Sequence, residues 1–219
     1  MNTDKKQFGL LPTIFFAIAF ASLAQSTKPL YENNFEKAAL DKVPEEFMVL
    51  DGGFAVKEDG GNKFLELPGA PLDTFGLLFG SATNANVSVS ARIYGTAKGR
   101  RGPSFGVGLN GVGGYKLKIS PAKNALEIYK GDDVVSSVPF KWEPASWTML
   151  HLQVHQLSDT AWKIEGKAWP QKSAEPKDCM ISFDEKNKPA DGRASIWGSP
   201  YSGTPIRFDD LLVAPASQK

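Results

Sequence analysis

Apolar and polar side chains alternate with a period of two along most of this chain. Over residues 86–94, Val87, Val89, Ala91 and Ile93 fall on one face, and Ser88, Ser90, Arg92 and Tyr94 on the other. Successive side chains of a strand point to opposite faces, so the pattern predicts a strand with one buried side. Over 104–110 the inward set is Phe105, Val107 and Leu109. Over 115–119 it is Tyr115, Leu117 and Ile119, with Lys116 and Lys118 outward. Short strands are predicted in the same way over 64–67, 125–130, 147–155, 162–169, 180–183, 193–197 and 206–213. Asn110-Gly111, Gly113-Gly114, Pro121, Gly131-Asp132, Ser158-Asp159, Asp191-Gly192 and Ser202-Gly203 supply the turns between them. Only 35–47 has helical character, and Pro44 limits it. Segments 172–177 and 184–191 read as exposed loops.

About a dozen alternating strands and no sustained helix predict an all-β, two-sheet antiparallel sandwich. Strands covered on both faces would not alternate so cleanly. The expected core is Val87, Val89, Phe105, Val107, Leu109, Leu117, Ile119, Leu126, Ile128, Leu150, Leu152, Val154, Ile164, Ile196 and Phe208. No repeat or low-complexity linker divides the chain, so residues 25–219 are expected to form one domain.

The first 24 residues break the pattern. Lys5 and Lys6 precede an apolar run over 8–20, and Ser22-Leu23-Ala24 places small residues where a signal peptidase cuts. The run is shorter than the roughly 20 residues of a membrane span. Residues 1–24 therefore read as a signal peptide, the destination as secreted or periplasmic, and the mature chain as lacking a span. The 219 residues carry 25 Lys and Arg against 24 Asp and Glu, which argues against a nucleic-acid role read from bulk charge. Cys179 is the sole cysteine. An internal disulfide and a cysteine-built metal site are thereby excluded.

The remaining motifs weigh against catalysis. Gly106-Val-Gly-Leu-Asn-Gly111 spells a dinucleotide fingerprint, but such a site needs a strand-to-helix turn, and here the next element is a strand. The glycines read instead as a flat outer surface ending in the Asn110-Gly111 turn. His151 and His155, four residues apart on a strand, lie roughly 13 Å from each other and cannot share a metal ion. No Ser-His-Asp series stands out. Trp142 and Trp147 read as packing anchors, Trp162 as core, and Trp169 and Trp197 as outward-facing. An outward Trp offers a flat apolar surface with a polar edge, suited to a sugar ring.

A series of short motifs carries a family resemblance: Asn33-Asn-Phe-Glu36, the strand over 86–94, Val138-Pro-Phe-Lys-Trp142, Gly166-Lys-Ala-Trp-Pro170, Gly192-Arg-Ala-Ser-Ile-Trp-Gly198 and Ile206-Arg-Phe-Asp-Asp-Leu-Leu-Val213. In this order they resemble the concanavalin A-like lectin/glucanase superfamily, and within it the laminin-G-like or keto-disaccharide-hydrolase-like domains of secreted bacterial proteins. The resemblance implies a jelly-roll sandwich. It also implies a structural calcium between the first and last strands, with Glu36 and Asp209 as the matching acids. Related retaining glucanases place two carboxylates on alternate outward positions of one strand. The best matching strand here offers Lys116 and Lys118 instead, with Glu127 a lone acid on the next.

The expectation is an exported, non-catalytic binding module for a glycan or cell-surface polysaccharide, with no catalytic residues assigned. A glycoside hydrolase of the same fold and an accessory domain that binds another cell-envelope protein are the alternatives. The expected ligand site is Arg92, Tyr94, Asn110 and Trp197. If the strands over 86–94 and 104–110 pair, Gly106 and Gly108 form the floor of a groove. Arg92 and Asn110 would donate to sugar hydroxyls, and Tyr94 or Trp197 would stack.

Overall fold

Strand-forming alternation becomes fifteen strands in the computed structural model, which describes residues 28–70, 73–201 and 203–216. The expected signal peptide, residues 1–24, lies outside the described residues. In chain order the strands are β1 (Tyr31–Asn33), β2 (Met48–Asp51), β3 (Ala55–Asp59), β4 (Asn62–Leu67), β5 (Phe75–Thr83), β6 (Val87–Gly95), β7 (Ser104–Leu109) and β8 (Tyr115–Ser120). They continue as β9 (Ala125–Lys130), β10 (Asp133–Pro139), β11 (Ser146–Ser158), β12 (Ala161–Pro170), β13 (Ile181–Glu185), β14 (Gly192–Ser199) and β15 (Ile206–Pro215). The expected helical character over 35–47 gives turns and bends. Phe35 and Asp41 take φ of 59° and 61°, outside the right-handed helical region, and Pro44 follows.

The strands form two antiparallel sheets. One has eight strands in the order β13-β12-β11-β6-β15-β4-β3, with β1 also on β15. The other has seven, β10-β9-β8-β7-β14-β5-β2. Together they make an all-β jelly-roll sandwich. The consecutive strands β6 and β7 fall in different sheets: β6 pairs with β11 and β15, and β7 with β8 and β14.

All fifteen residues expected in the core are buried between the sheets. The sheets approach closely enough that Gly166 on β12 is fitted to Leu117 of β8. A Cβ at Gly166 would lie 2.8 Å from both Leu117 methyls. The last strand departs from simple alternation. Ile206 and Phe208 point inward, but so do Leu211 and Val213. A bulge between Asp209 and Leu212 resets the period, with Asp210 at φ 49° and its N–H donating to Asp209 Oδ1 at 2.7 Å.

One edge of the sandwich is clamped by Glu185 at the end of β13. It accepts from Tyr115 Oη at 2.8 Å and Lys130 Nζ at 2.6 Å, both on the opposite sheet, and from the N–H groups of Lys186 and Asn187. Burial alone would raise its pKa. The hydrogen bonds and the Lys130 charge outweigh burial and hold it at about 2. Among the described residues no helix is long and apolar enough to cross a membrane.

Candidate functional site

The four residues expected to bind ligand do not meet. Arg92 and Tyr94 lie on the outer face of the eight-stranded sheet; Asn110 and Trp197 belong to the seven-stranded one. The groove between β6 and β7 does not form, because those strands do not pair. Arg92 is built into the fold. Its guanidinium bonds Asp209 Oδ2 at 2.5 Å and Asn62 Oδ1 at 2.6 Å, pairs with Asp210 at 2.9 Å, and sits 4.7 Å from the centre of the Trp147 ring. Its acid partners come from the β15 bulge, whereas Glu127 lies in the other sheet. Tyr94 is wedged between Trp147 and Arg207. Asn110, buried at the end of β7, donates to the carbonyls of Thr83, Asn84 and Ala190 and so closes neighbouring loops.

Glu36 and Asp209 do not fit a resident calcium. Asp209 is fully buried, and its carboxylate is already satisfied by Arg92, Asn62 and the Asp210 N–H. Burial pushes its pKa up against the pull of those partners. A calcium ion there would face the Arg92 charge and would need about 6–8 oxygen ligands. Glu36 accepts instead from the Lys63 N–H at 3.1 Å. Among the described residues no three His, Cys, Asp or Glu side chains converge on one point.

Gly106 and Gly108, expected as the floor of a groove beside the strand over 86–94, lie instead on the outer face of the seven-stranded sheet, next to Trp197. Strand register sets two rows across it. One runs Gly76, Trp197, Gly106, Lys118, Glu127; the other runs Leu78, Ser195, Gly108, Lys116, Tyr129. The glycines make room for the indole. A Cβ at Gly76 would lie 2.6 Å from Trp197 Cε3, and one at Gly108 would lie 2.5 Å from Ser195 Oγ. Trp197 therefore lies on the sheet, with Nε1 donating to Ser195 Oγ at 2.8 Å and Lys116 Nζ 4.3 Å from its ring centre. At 7% exposure it is a wall and not an open stacking platform.

Thr74, Val112, Lys116, Lys118, Tyr129, Gly131, Asp132 and Trp197 enclose a depression of about 360 Å³ on this face. Lys116 Nζ donates to Gly131 O at 2.9 Å and faces Asp132 at 3.4 Å. Lys118 Nζ stands 4.9 Å from the centre of the Tyr129 ring, and burial first, then the Lys116 charge, lowers its pKa. Glu127 accepts from Ser120 Oγ at 2.5 Å, Tyr129 Oη at 2.9 Å and Lys123 Nζ at 2.9 Å. Burial works against its ionisation, but these bonds prevail and hold its pKa low.

Lys116, Lys118 and Tyr129 were not among the expected site residues. The signal that points to them is two outward lysines on the strand after the one carrying outward Gly106 and Gly108, since glycine beside a long side chain leaves it room to lie across the sheet. A larger depression, about 840 Å³, lies against the eight-stranded sheet near β1. It is lined by Glu32, Asn33, Glu46, Met149, Asp210 and Leu212, among others, and has no aromatic wall. Arg193 and Ser195 separate as well: Arg193 ties Gly80 O and Glu46 O, while Ser195 stays beside Trp197.

No protein-family model matches the chain, and no curated protein matches it in sequence. Solved structures do share its fold. Carbohydrate binding module CBM66 from Bacillus subtilis is 10% identical with a TM-score of 0.51, over 77% of this chain and 95% of that one. The potassium-bound form of the Emp46p carbohydrate recognition domain is 11% identical with a TM-score of 0.54, over 88% and 100%. The marine PL-14 alginate lyase from Aplysia kurodai is 10% identical with a TM-score of 0.58, over 86% and 99%. At these identities the likeness is one of fold: an all-β jelly-roll sandwich.

Proposed function

We propose that this protein is an exported glycan-binding module whose ligand sits on the outer face of the seven-stranded sheet, in the depression between Trp197 and Tyr129. The observation that carries this is the combination in one depression of two aromatic walls with the amino groups of Lys116 and Lys118, the Thr74 hydroxyl and Asp132. Sugar rings are recognised by an apolar surface together with a few directed polar groups, and this depression supplies both. Two of the neighbours named above are carbohydrate-binding or carbohydrate-recognition domains, which supports the same class of ligand. The apolar run over 8–20 supports export, to the secreted or periplasmic space.

A binding role is favoured over glycoside hydrolysis by the state of the buried carboxylates. Hydrolysis needs two carboxyl groups about 5–9.5 Å apart, both facing the substrate. Here Glu127, Glu165, Glu185 and Asp209 each have donors or cations around them. A glycan-array screen, with product analysis of every hit, tests the assignment. Bound and unchanged glycan is the expected result; cleaved glycan, or no hit at all, contradicts it.

A second reading, a protein partner from the cell envelope, is favoured by strand β2 alone. It ends the seven-stranded sheet and exposes Met48, Val49 and Leu50. A partner strand adding to that edge would be detected by cross-linking from position 49.

A further inference from the structure

Resting on the glycan-binding reading above, we propose that the glycan taken by this depression is acidic, a chain carrying carboxylate or sulfate groups on its rings, with one such group bound at the Lys118 ammonium beside Lys116. Lys118 is the reason. Its side chain lies across the sheet within the depression, over Tyr129. Among the described residues its amino group makes no hydrogen bond and no ion pair. An ammonium has three donors, and here they are left to solvent in a partly desolvated position, where an anionic acceptor would bind them more strongly. The ring of Tyr129 offsets part of that cost, but it accepts no N–H bond of ordinary strength.

The acids nearby are committed elsewhere. Glu127, directly opposite Lys118 in the β8–β9 register, is held by Ser120, Lys123 and Tyr129. Asp132 faces Lys116 from a fully exposed position. The second ammonium, Lys116, adds positive charge to the same depression, with its ring partner Trp197 fixed beneath it. Burial and the Lys116 charge both disfavour the ammonium form of Lys118 in the free protein; the charge of an arriving anion acts in the opposite direction. Bulk attraction does not produce this preference, since the net charge of the chain is only +1. The two ammonium groups lie in one depression, whose lining also holds the Asp132 carboxylate.

Two matched pairs of polymers test the inference on the purified protein: polygalacturonate against its methyl ester, and dextran sulfate against dextran. Each pair keeps the rings and removes the charge. Binding is expected to be about tenfold or more tighter for the charged member of at least one pair, the gain typical of a charge-assisted hydrogen bond. Which pair shows it separates carboxylate from sulfate. Lys118→Gln is expected to bring the ratio near one, Lys118→Arg to keep it, and both to melt like the wild type. Equal binding of charged and neutral members overturns the inference and leaves the glycan-binding reading intact. A preference for the charged polymer that survives Lys118→Gln overturns it too, because another cation then carries the effect. Failure to bind any of the four polymers also overturns it. The glycan-binding reading is tested by the whole array, where hits combined with equal binding of the matched polymers leave it standing and remove only the preference for charge.

Discussion

At the scale of single residues, side chains that look alike in the sequence do opposite work. Leu152 is buried between the sheets, so Leu152→Ala removes apolar contact and leaves a cavity. Its expected cost is about 2–5 kcal/mol, read as a shift in a denaturant titration. Gly76 is small because an indole lies on it. Gly76→Ala drives a methyl into Trp197 and is expected to destabilise by about 1–3 kcal/mol while changing the tryptophan emission. A variant with unaltered stability and emission would mean the indole does not rest there. Arg92 reads as a candidate ligand contact in the sequence, yet its partner Asp209 is fully buried. Removing one member of a buried pair strands the other charge, so Arg92→Ala is expected to cost about 3–5 kcal/mol in thermal or chemical unfolding. A loss below about 1 kcal/mol would show that Asp209 is satisfied without it.

At the scale of the strands, inside and outside are legible in the sequence and sheet membership is not. Val87, Val89, Leu117 and Leu150 point inward as their alternation requires. Nothing in that alternation tells that β6 joins β11 and β15 while β7 joins β8 and β14, since pairing is set by the path of the chain between strands. For the same reason Trp197 could be placed on an outer face but not assigned its neighbours. Strand β5 is hidden because Gly76 and Gly80 interrupt its apolar run, and β2 because Met48-Val49-Leu50 shows no alternation. The Glu185 clamp is also a tertiary product, joining β13 to β8 and β9. Its folded pKa, about 2, is depressed from the ordinary 4.5, so the carboxylate stabilises the fold above about pH 4.5. That contribution is lost as pH falls from there toward 2. Melting temperatures taken across this range should fall more steeply for the wild type than for Glu185→Gln. Parallel curves would remove the clamp from the acid response.

At the scale of the whole molecule, a sandwich stabilised by its core, without a disulfide, presents two chemically different outer faces. The face of the eight-stranded sheet pairs its charges internally, Arg92 with Asp209 and Arg207 with Glu66. Chelation is therefore expected to leave the melting temperature unchanged, and a drop would restore a structural calcium to the account. The face of the seven-stranded sheet keeps the Lys118 amino group over the Tyr129 ring without a carboxylate partner, and this asymmetry is the reason the ligand is proposed on that side. The most direct test follows the five tryptophan indole N–H signals of the labelled protein by NMR while a glycan hit from the array is added. The Trp197 signal is predicted to move with saturation, while those of Trp142 and Trp147, in the core and on the opposite face, stay in place. Saturable binding that shifts Trp147 and leaves Trp197 unmoved would contradict the assignment and put the ligand on the eight-stranded sheet.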